Sequence, residues 1–141
     1  MGYVLFGDDW VNAYKESLGR SAEYRKAAAK WEWPLVLKVQ KDPSLGLPDD
    51  LAVYLDLWHG ECRGARVATA ADLESAPYIV SADAFTWKQV LEKKMEPIGG
   101  IVRGKLKLAR GSIITLAGYV QAAKYLVEAA TEVATDFPGG L

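Results

Sequence analysis

The sequence predicts an α+β fold, with helices laid on one face of a sheet. Three observations point there. The stretches 8–18, 21–31, 83–94 and 112–134 have the apolar period or the residue content of helices. The stretches 35–40, 51–58, 62–69, 78–80 and 105–110 alternate apolar and polar residues or form short apolar runs, as strands do. The two kinds of segment are interleaved, and two of the strands meet at a tight turn.

The elements follow in order. In residues 8–18, Trp10, Val11, Tyr14 and Leu18 share one helical face. Asp8 or Asp9 is placed to cap its start, and Gly19 to end it in the left-handed conformation. A second helix opens on Ser21 as N-cap and continues through AEYRKAAAKW. Pro34 stops the helical run. Leu35, Leu37 and Val39 then alternate with Val36, Lys38 and Gln40, a half-buried strand. DPSLGLPDD is a loop. In LAVYLDLW, Val53, Leu55 and Leu57 point one way and Tyr54, Asp56 and Trp58 the other. His59-Gly60-Glu61 turns the chain into a strand over 62–69. Residues 70–76 read as a connection, and Tyr78, Ile79 and Val80 as a short strand.

Ser81 is placed to cap a helix over 83–94 with Phe85 or Ala84, Trp87, Val90 and Leu91 on its apolar face. MEPIGGIVRG follows, then KLKLAR as a strand with a solvated outer face, which Gly111 breaks. One long helix is expected over 112–134, with Ile113, Leu116, Ala117, Val120, Ala123 and Val127 on one stripe. Pro138, Gly139 and Gly140 read as a frayed tail. The chain is expected to be a single domain over 1–141, with two N-terminal helices in 8–32 and the sheet and remaining helices in 34–134.

Composition narrows the function. Of 141 residues, half are hydrophobic and a quarter charged, which excludes disordered and collagen-like chains. Seventeen basic against eighteen acidic residues leave a net charge of −1, with no global attraction to nucleic acid. One Cys and one His supply neither an intrachain disulfide nor a four-ligand zinc site, and no cofactor is implied. There is no apolar run long enough to span a membrane, and residues 1–10 lack the basic start of a leader. The expected location is the cytoplasm.

The motifs offer little chemistry. His59 and Cys62 form H-x-x-C, but across a turn, where side chains need not converge. Asp8-Asp9 and Asp49-Asp50 sit at element starts. GGIVRGK lacks the spacing and the final Ser or Thr of a phosphate loop. The five Trp residues read as core and rim, with Trp31 and Trp33 also open to reading as a partner surface. No catalytic residue is expected.

Several residues together carry a family resemblance. LAVYLDLWHGECRGARV, then PYIVSADAFTWKQVLEKKMEPIGGIVRGKLKLARG, then SIITLAGYV resemble the sterol carrier protein type-2 (SCP2-like) lipid-binding domain. Ser81, Asp83, Phe85, Gly104, the run Lys105, Leu106, Lys107, Leu108, and Gly111 carry it. The front segment, DDWVNAYKESLGRSAEYRKAAAKWEW, is similar to the N-terminal helices of single-domain prokaryotic members. The resemblance implies a five-stranded mixed sheet covered on one face by helices, with an apolar cavity under the C-terminal helices. It implies non-enzymatic binding of a fatty acid, acyl-CoA, phospholipid or sterol-like lipid. The alternative is an interaction or dimerisation module that keeps this fold with a filled cavity.

On this reading the cavity wall is expected from Phe85, Trp87, Leu91, Met95, Ile98, Ile101, Val102, Leu106, Leu108, Ile113, Leu116 and Val120. Such a wall must be apolar, because an unpaired polar group against hydrocarbon costs roughly 1–3 kcal/mol. Residues 95–103 are expected to form a short, weak lid helix, since Ile98, Ile101 and Val102 share a helical face around Gly99-Gly100. Residues 93–110 carry six basic groups against Glu96 alone, and residues 34–92 five basic against nine acidic. Arg103 and Lys105 are therefore expected at the rim, facing a lipid head group. Expected partners are a lipid or fatty-acyl ligand, a transient membrane surface and a second copy of the chain, and no nucleic acid. An apolar void of about 300–1,000 Å³ would favour the lipid reading over the filled one.

Overall fold

The computed structural model describes residues 2–141; Met1, first residue of the opening segment read above, lies outside them. A five-stranded sheet is built from β2 (Leu35–Val39), β3 (Leu51–Trp58), β4 (Glu61–Val67), β5 (Tyr78–Ala82) and β6 (Lys107–Arg110). Its order is β4-β3-β2-β5-β6. β2 and β5 run parallel and the other pairs antiparallel, so the sheet is mixed. A two-stranded parallel pair joins the chain ends: β1 (Tyr3–Val4) lies beside β7 (Thr135–Asp136).

The hairpin turn is tighter than the three residues anticipated. Trp58 pairs with Glu61, leaving only His59 and Gly60 in the loop. Both have positive φ, 50° and 85°, the twist that joins antiparallel strands. A side chain at Gly60 would strike the Arg25 backbone, so this turn also seats the second helix.

α1 (Asp8–Gly19) buries the expected Trp10, Val11, Tyr14 and Leu18. Its ends differ from the reading. Gly7 is the N-cap, Asp8 and Asp9 lie in the first turn, where carboxylates favour the helix dipole, and Gly19 keeps helical angles. α2 (Ala22–Ala27) is shorter than expected, and the Ser21 hydroxyl accepts the Tyr24 N–H as predicted.

The inner sheet face carries Leu35, Val39, Val53, Leu55, Leu57, Tyr78, Val80 and Ala82 against α1, α2 and the later helices. The outer face is not bare. Val36 is as buried as Val39, within a small cluster with Ala52, Ala76 and Ile79. Leu73 of α3 (Ala70–Ser75) packs on that cluster. β2 is thus buried on both faces rather than one, as a central strand can be. Residues 70–76, read as a connection, hold this helix because Thr69 and Asp72 form a capping box. The Arg66 guanidinium grips the same Asp72 carboxylate with two hydrogen bonds, 2.6 and 3.1 Å, and holds its pKa at about 2.

Ser81 does not cap a helix. All five residues of β5 are buried, the strand runs through Ala82, and the cap falls to Asp83, which accepts the Thr86 N–H at 2.7 Å. α4 (Ala84–Leu91) follows, then α5 (Pro97–Val102). The expected 112–134 helix is two: α6 (Ile113–Ala117) and α7 (Val120–Thr131). Gly118 ends the first, and Tyr119 leaves helical angles at φ −122°, ψ 34°. The tail is not frayed. Beyond β7, Pro138–Gly140 make a 3-10 turn, and Gly139 lies so close to the Leu45 side chain that no Cβ would fit.

Candidate functional site: an apolar cavity under the helices

The inner sheet face and the helices leave a gap between them. Its floor is Leu35 and Leu37 of β2, Leu57 of β3 and Val80 of β5. One wall comes from the N-terminal elements: Phe6, Trp10, Tyr14, Tyr24 and Trp31. The other comes from Trp87 and Leu91 of α4, from Pro97, Ile98 and Ile101 of α5, and from Leu106. Leu116, Tyr119, Ala122, Ala123, Leu126, Val127 and Ala130, from α6 to α7, close it. No lining residue carries a charge.

The aromatic residues could have brought polar atoms into this space, and most turn them away. Trp10 Nε1 donates to Thr135 Oγ1, Trp31 Nε1 to the Trp33 carbonyl and Trp87 Nε1 to the Lys38 carbonyl, at 2.6–2.8 Å. The Tyr14 hydroxyl donates to the Leu126 carbonyl at 2.8 Å. Their rings face inward and pack on one another: Phe6 lies tilted 5.1 Å from Trp10 and edge-on 5.8 Å from Trp87, and Trp31 lies edge-on 4.9 Å from Tyr119. Tyr24 differs: its hydroxyl has no hydrogen-bond partner among the described residues, and since no fully buried side-chain oxygen there lacks one, that hydroxyl is not fully enclosed. Burial pushes the pKa of both tyrosines up.

Six of the twelve expected wall residues line the gap: Trp87, Leu91, Ile98, Ile101, Leu106 and Leu116. Four point to solvent, each for a local reason. With Asp83 as N-cap, the helical period turns Ala84, Trp87 and Val90 inward and leaves Phe85 half exposed. Val102 ends α5, beyond the inward pair Ile98 and Ile101, and is 72% exposed. The break at Gly118-Tyr119 re-phases the closing stripe, so Ile113 and Val120 face out while Ala122, Leu126 and Ala130 face in. Met95 and Leu108 pack against the core without reaching the gap: Met95 lies over Gly100, and Leu108 pairs with Val80 on the edge strand. The expected rim residues, Arg103 and Lys105, are exposed just after α5. Sequence reasoning missed the whole N-terminal wall. Trp10 and Tyr14 were assigned to a buried face, but nothing in the spacing says what that face meets.

The free space is small, about 80 Å³. Ligand pockets run about 300–1,000 Å³, so this conformation holds no long-chain molecule without moving its wall. The movable side is the helical one, where Leu91, Ile101, Tyr119, Ala123, Leu126 and Val127 are all only half buried.

Among the described residues, His59 and Cys62 do not come together as a nucleophilic pair. His59 stacks flat on Trp58 at 4.3 Å and faces Glu32 at 3.8 Å, while Cys62 donates to the Gly64 carbonyl at 3.3 Å. Burial pushes the Cys62 thiol pKa up, away from a reactive thiolate. Among the described residues, no group of three His, Cys, Asp or Glu could hold a metal ion. No helix among them is long and apolar enough to cross a membrane.

Comparison with known families and solved structures identifies the class to which this α+β fold belongs. The family model for the SCP-2 sterol transfer family matches residues 11–121, and the chain belongs to that family. It is similar to a crystal structure of sterol carrier protein 2, with 47% identity over 92% of this chain and 99% of that one, at a TM-score of 0.84. It is also similar to the solution structure of a conserved hypothetical protein from Thermus thermophilus, with 44% identity over 99% and 98% of the two chains, again at 0.84. The apo form of sterol carrier protein 2 from Yarrowia lipolytica shares the fold at 14% identity over 86% and 88% of the two chains, with a TM-score of 0.58. No curated protein matches the chain significantly.

Proposed function

We propose that this protein binds a long-chain lipid in the cavity, whether fatty acid, acyl-CoA, phospholipid or sterol-like, and carries it without changing it chemically. The observation that carries this reading is the uncharged lining of the cavity in a chain of the SCP-2 sterol transfer family. The whole chain acts as one binding domain, because wall residues run from Phe6 to Ala130. α5 is the lid. Arg103 and Lys105 stand beside it, exposed and without an ion-pair partner among the described residues, where a carboxylate or phosphate head would meet them. The chain works in the cytoplasm, a reading supported by its single free cysteine. It meets membranes transiently to exchange its ligand.

The small free volume favours a second reading: a filled fold serving as an interaction or dimerisation module. The surface that this reading would use is largely withdrawn, because Trp31 is buried and Trp33 half buried, packed edge to face on each other at 5.0 Å.

Native mass spectrometry before and after delipidation separates the two. The lipid reading expects a bound apolar species, or uptake of an offered fatty acid, acyl-CoA or phospholipid at unit stoichiometry. Absence of uptake across all three classes, with concentration-dependent sedimentation, selects the filled module.

A further inference from the structure

We propose that Phe6 is a plug in the cavity which the ligand displaces, and that the β1–β7 pair is the latch that holds it in. The proposal rests on the lipid-carrying reading and concerns how the cavity becomes large enough to serve it.

The free space of about 80 Å³ is too small for a long-chain lipid, so lining side chains must yield their place. Phe6 stands apart from the other lining residues in its backbone. Among the described residues, three that are not glycine have positive φ: Phe6 at 60°, His59 at 50° and Lys93 at 62°. His59 and Lys93 are exposed. Phe6 is 2% exposed and lines the cavity. The Gly7 N–H donates to the Val4 carbonyl at 2.9 Å, which closes a turn with Phe6 at its third position. A left-handed residue there is ordinarily Gly or Asn, and a bulky one is held against strain. Such strain persists only where the surrounding contacts impose it.

Two sets of contacts impose it here. Inside, the Phe6 ring lies 5.1 Å from Trp10 and 5.8 Å from Trp87, which line the same cavity. The ring thus fills ground between α1 on one wall and α4 on the other. Outside, β1 pairs with β7 over two residues, Tyr3 with Thr135 and Val4 with Asp136. The Tyr3 and Leu5 N–H groups donate to the Ala134 and Asp136 carbonyls at 2.8 and 3.2 Å. Tyr3 and Val4 are exposed, so little side-chain burial reinforces the pair. Leu5 is buried and keeps the segment in place when the cavity is empty. A lipid chain that reaches Trp10 and Trp87 replaces the apolar contacts of the ring. The short pair then opens locally, Phe6 leaves, and its backbone relaxes to negative φ. The ligand binds the open state better than the plugged one, and that difference drives the exchange.

The test locks the latch. Val4→Cys with Asp136→Cys puts two thiols at partnered positions of adjacent strands, within reach of a disulfide. Peptide mass spectrometry confirms the bond between positions 4 and 136, and that Cys62 stays free. Uptake of a fluorescent fatty acid is then measured oxidised and reduced, with and without Phe6→Gly. Glycine suits a φ of 60°, so this change removes the ring and keeps the turn. Oxidation should slow uptake about tenfold or more, and reduction should restore it. Phe6→Gly in the oxidised protein should return uptake to within about twofold of the reduced one, since the competent state no longer waits on the plug. A second measurement needs no substitution: amide exchange at Tyr3 and Leu5 of the parent should speed about tenfold when fatty acid saturates it.

Equal uptake by the oxidised and reduced proteins overturns the proposal. So does a block that Phe6→Gly does not relieve, or exchange at Tyr3 and Leu5 that saturation leaves unchanged. With uptake by the parent, each of these results leaves the carrier reading standing. Absence of uptake by both the parent and Phe6→Gly overturns the carrier reading, and the plug with it.

Discussion

Tyr14 and Tyr24 press on the same cavity, and they differ in what their hydroxyls touch. Tyr14 donates to the Leu126 carbonyl, which ties α1 to α7. Tyr24 donates to nothing among the described residues. A buried hydrogen bond contributes about 1 kcal/mol net, whereas removing an unpartnered hydroxyl breaks no bond within the protein. Tyr14→Phe is therefore expected to cost about 1–1.5 kcal/mol in urea unfolding, and Tyr24→Phe to stay within about 0.5 kcal/mol. Equal losses would mean that Tyr24 has a partner after all. Sequence spacing placed Tyr14 on a buried face correctly, since burial follows the helical period. It could not separate the roles of the two hydroxyls, because the Leu126 carbonyl is 112 residues away.

Among the elements, α5 is short and contains little that favours a helix. It has six residues, opens on Pro97 and contains Gly99 and Gly100. The Glu96 carboxylate secures its start by accepting the Ile98 and Gly99 N–H groups. The two glycines are not equivalent. A methyl on Gly99 would sit 2.9 Å from that carboxylate and disturb the cap. A methyl on Gly100 would sit 3.0 Å from Met95 Sδ and 3.1 Å from Leu106 Cδ1, inside the packing around α5. Met95 ends in a flexible thioether that can give way. Gly100→Ala should therefore stabilise α5 in its packed position by about 0.5–1 kcal/mol. Uptake and release of a fluorescent fatty acid in stopped flow should both slow about two- to fivefold, with affinity changing less. Unchanged rates in a folded variant would rule out α5 as the proposed lid without bearing on the proposed cavity site.

The whole molecule is closed by its ends. β1 and β7 pair, and Thr135 Oγ1 accepts the Trp10 N–H at 2.8 Å, a bond that spans 125 residues. Trp10 is almost completely buried and lines the cavity, so this contact near the C-terminus fixes one wall of the site. Thr135→Val keeps the shape and removes the acceptor. Leaving the indole N–H unpaired should cost about 1–3 kcal/mol, read as a Tm lower by several degrees. A Tm equal to the parent's would show that the chain ends do not hold the wall.

Local chemistry was enough for much of the fold. The hairpin at His59-Gly60, the alternation in β3, the Ser21 cap and the inward face of α1 are set by residues within a few positions of one another, and a sequence displays such neighbours directly. The mixed five-stranded sheet and the family came from the order of several modest motifs. Where the reading failed, two local signals competed or a distant contact decided. Ser81 and Asp83 can both cap, and burial of the whole of β5 chose Asp83 and turned Phe85 outward. Periodicity ran through Gly118, but the chain breaks there, and the break re-phased the stripe that closes the cavity. The opposing wall of Phe6, Trp10, Tyr14, Tyr24 and Trp31 was settled by tertiary structure alone. A cavity is the space between elements far apart in sequence, and its shape depends on how their faces are brought together rather than on the pattern within any one of them.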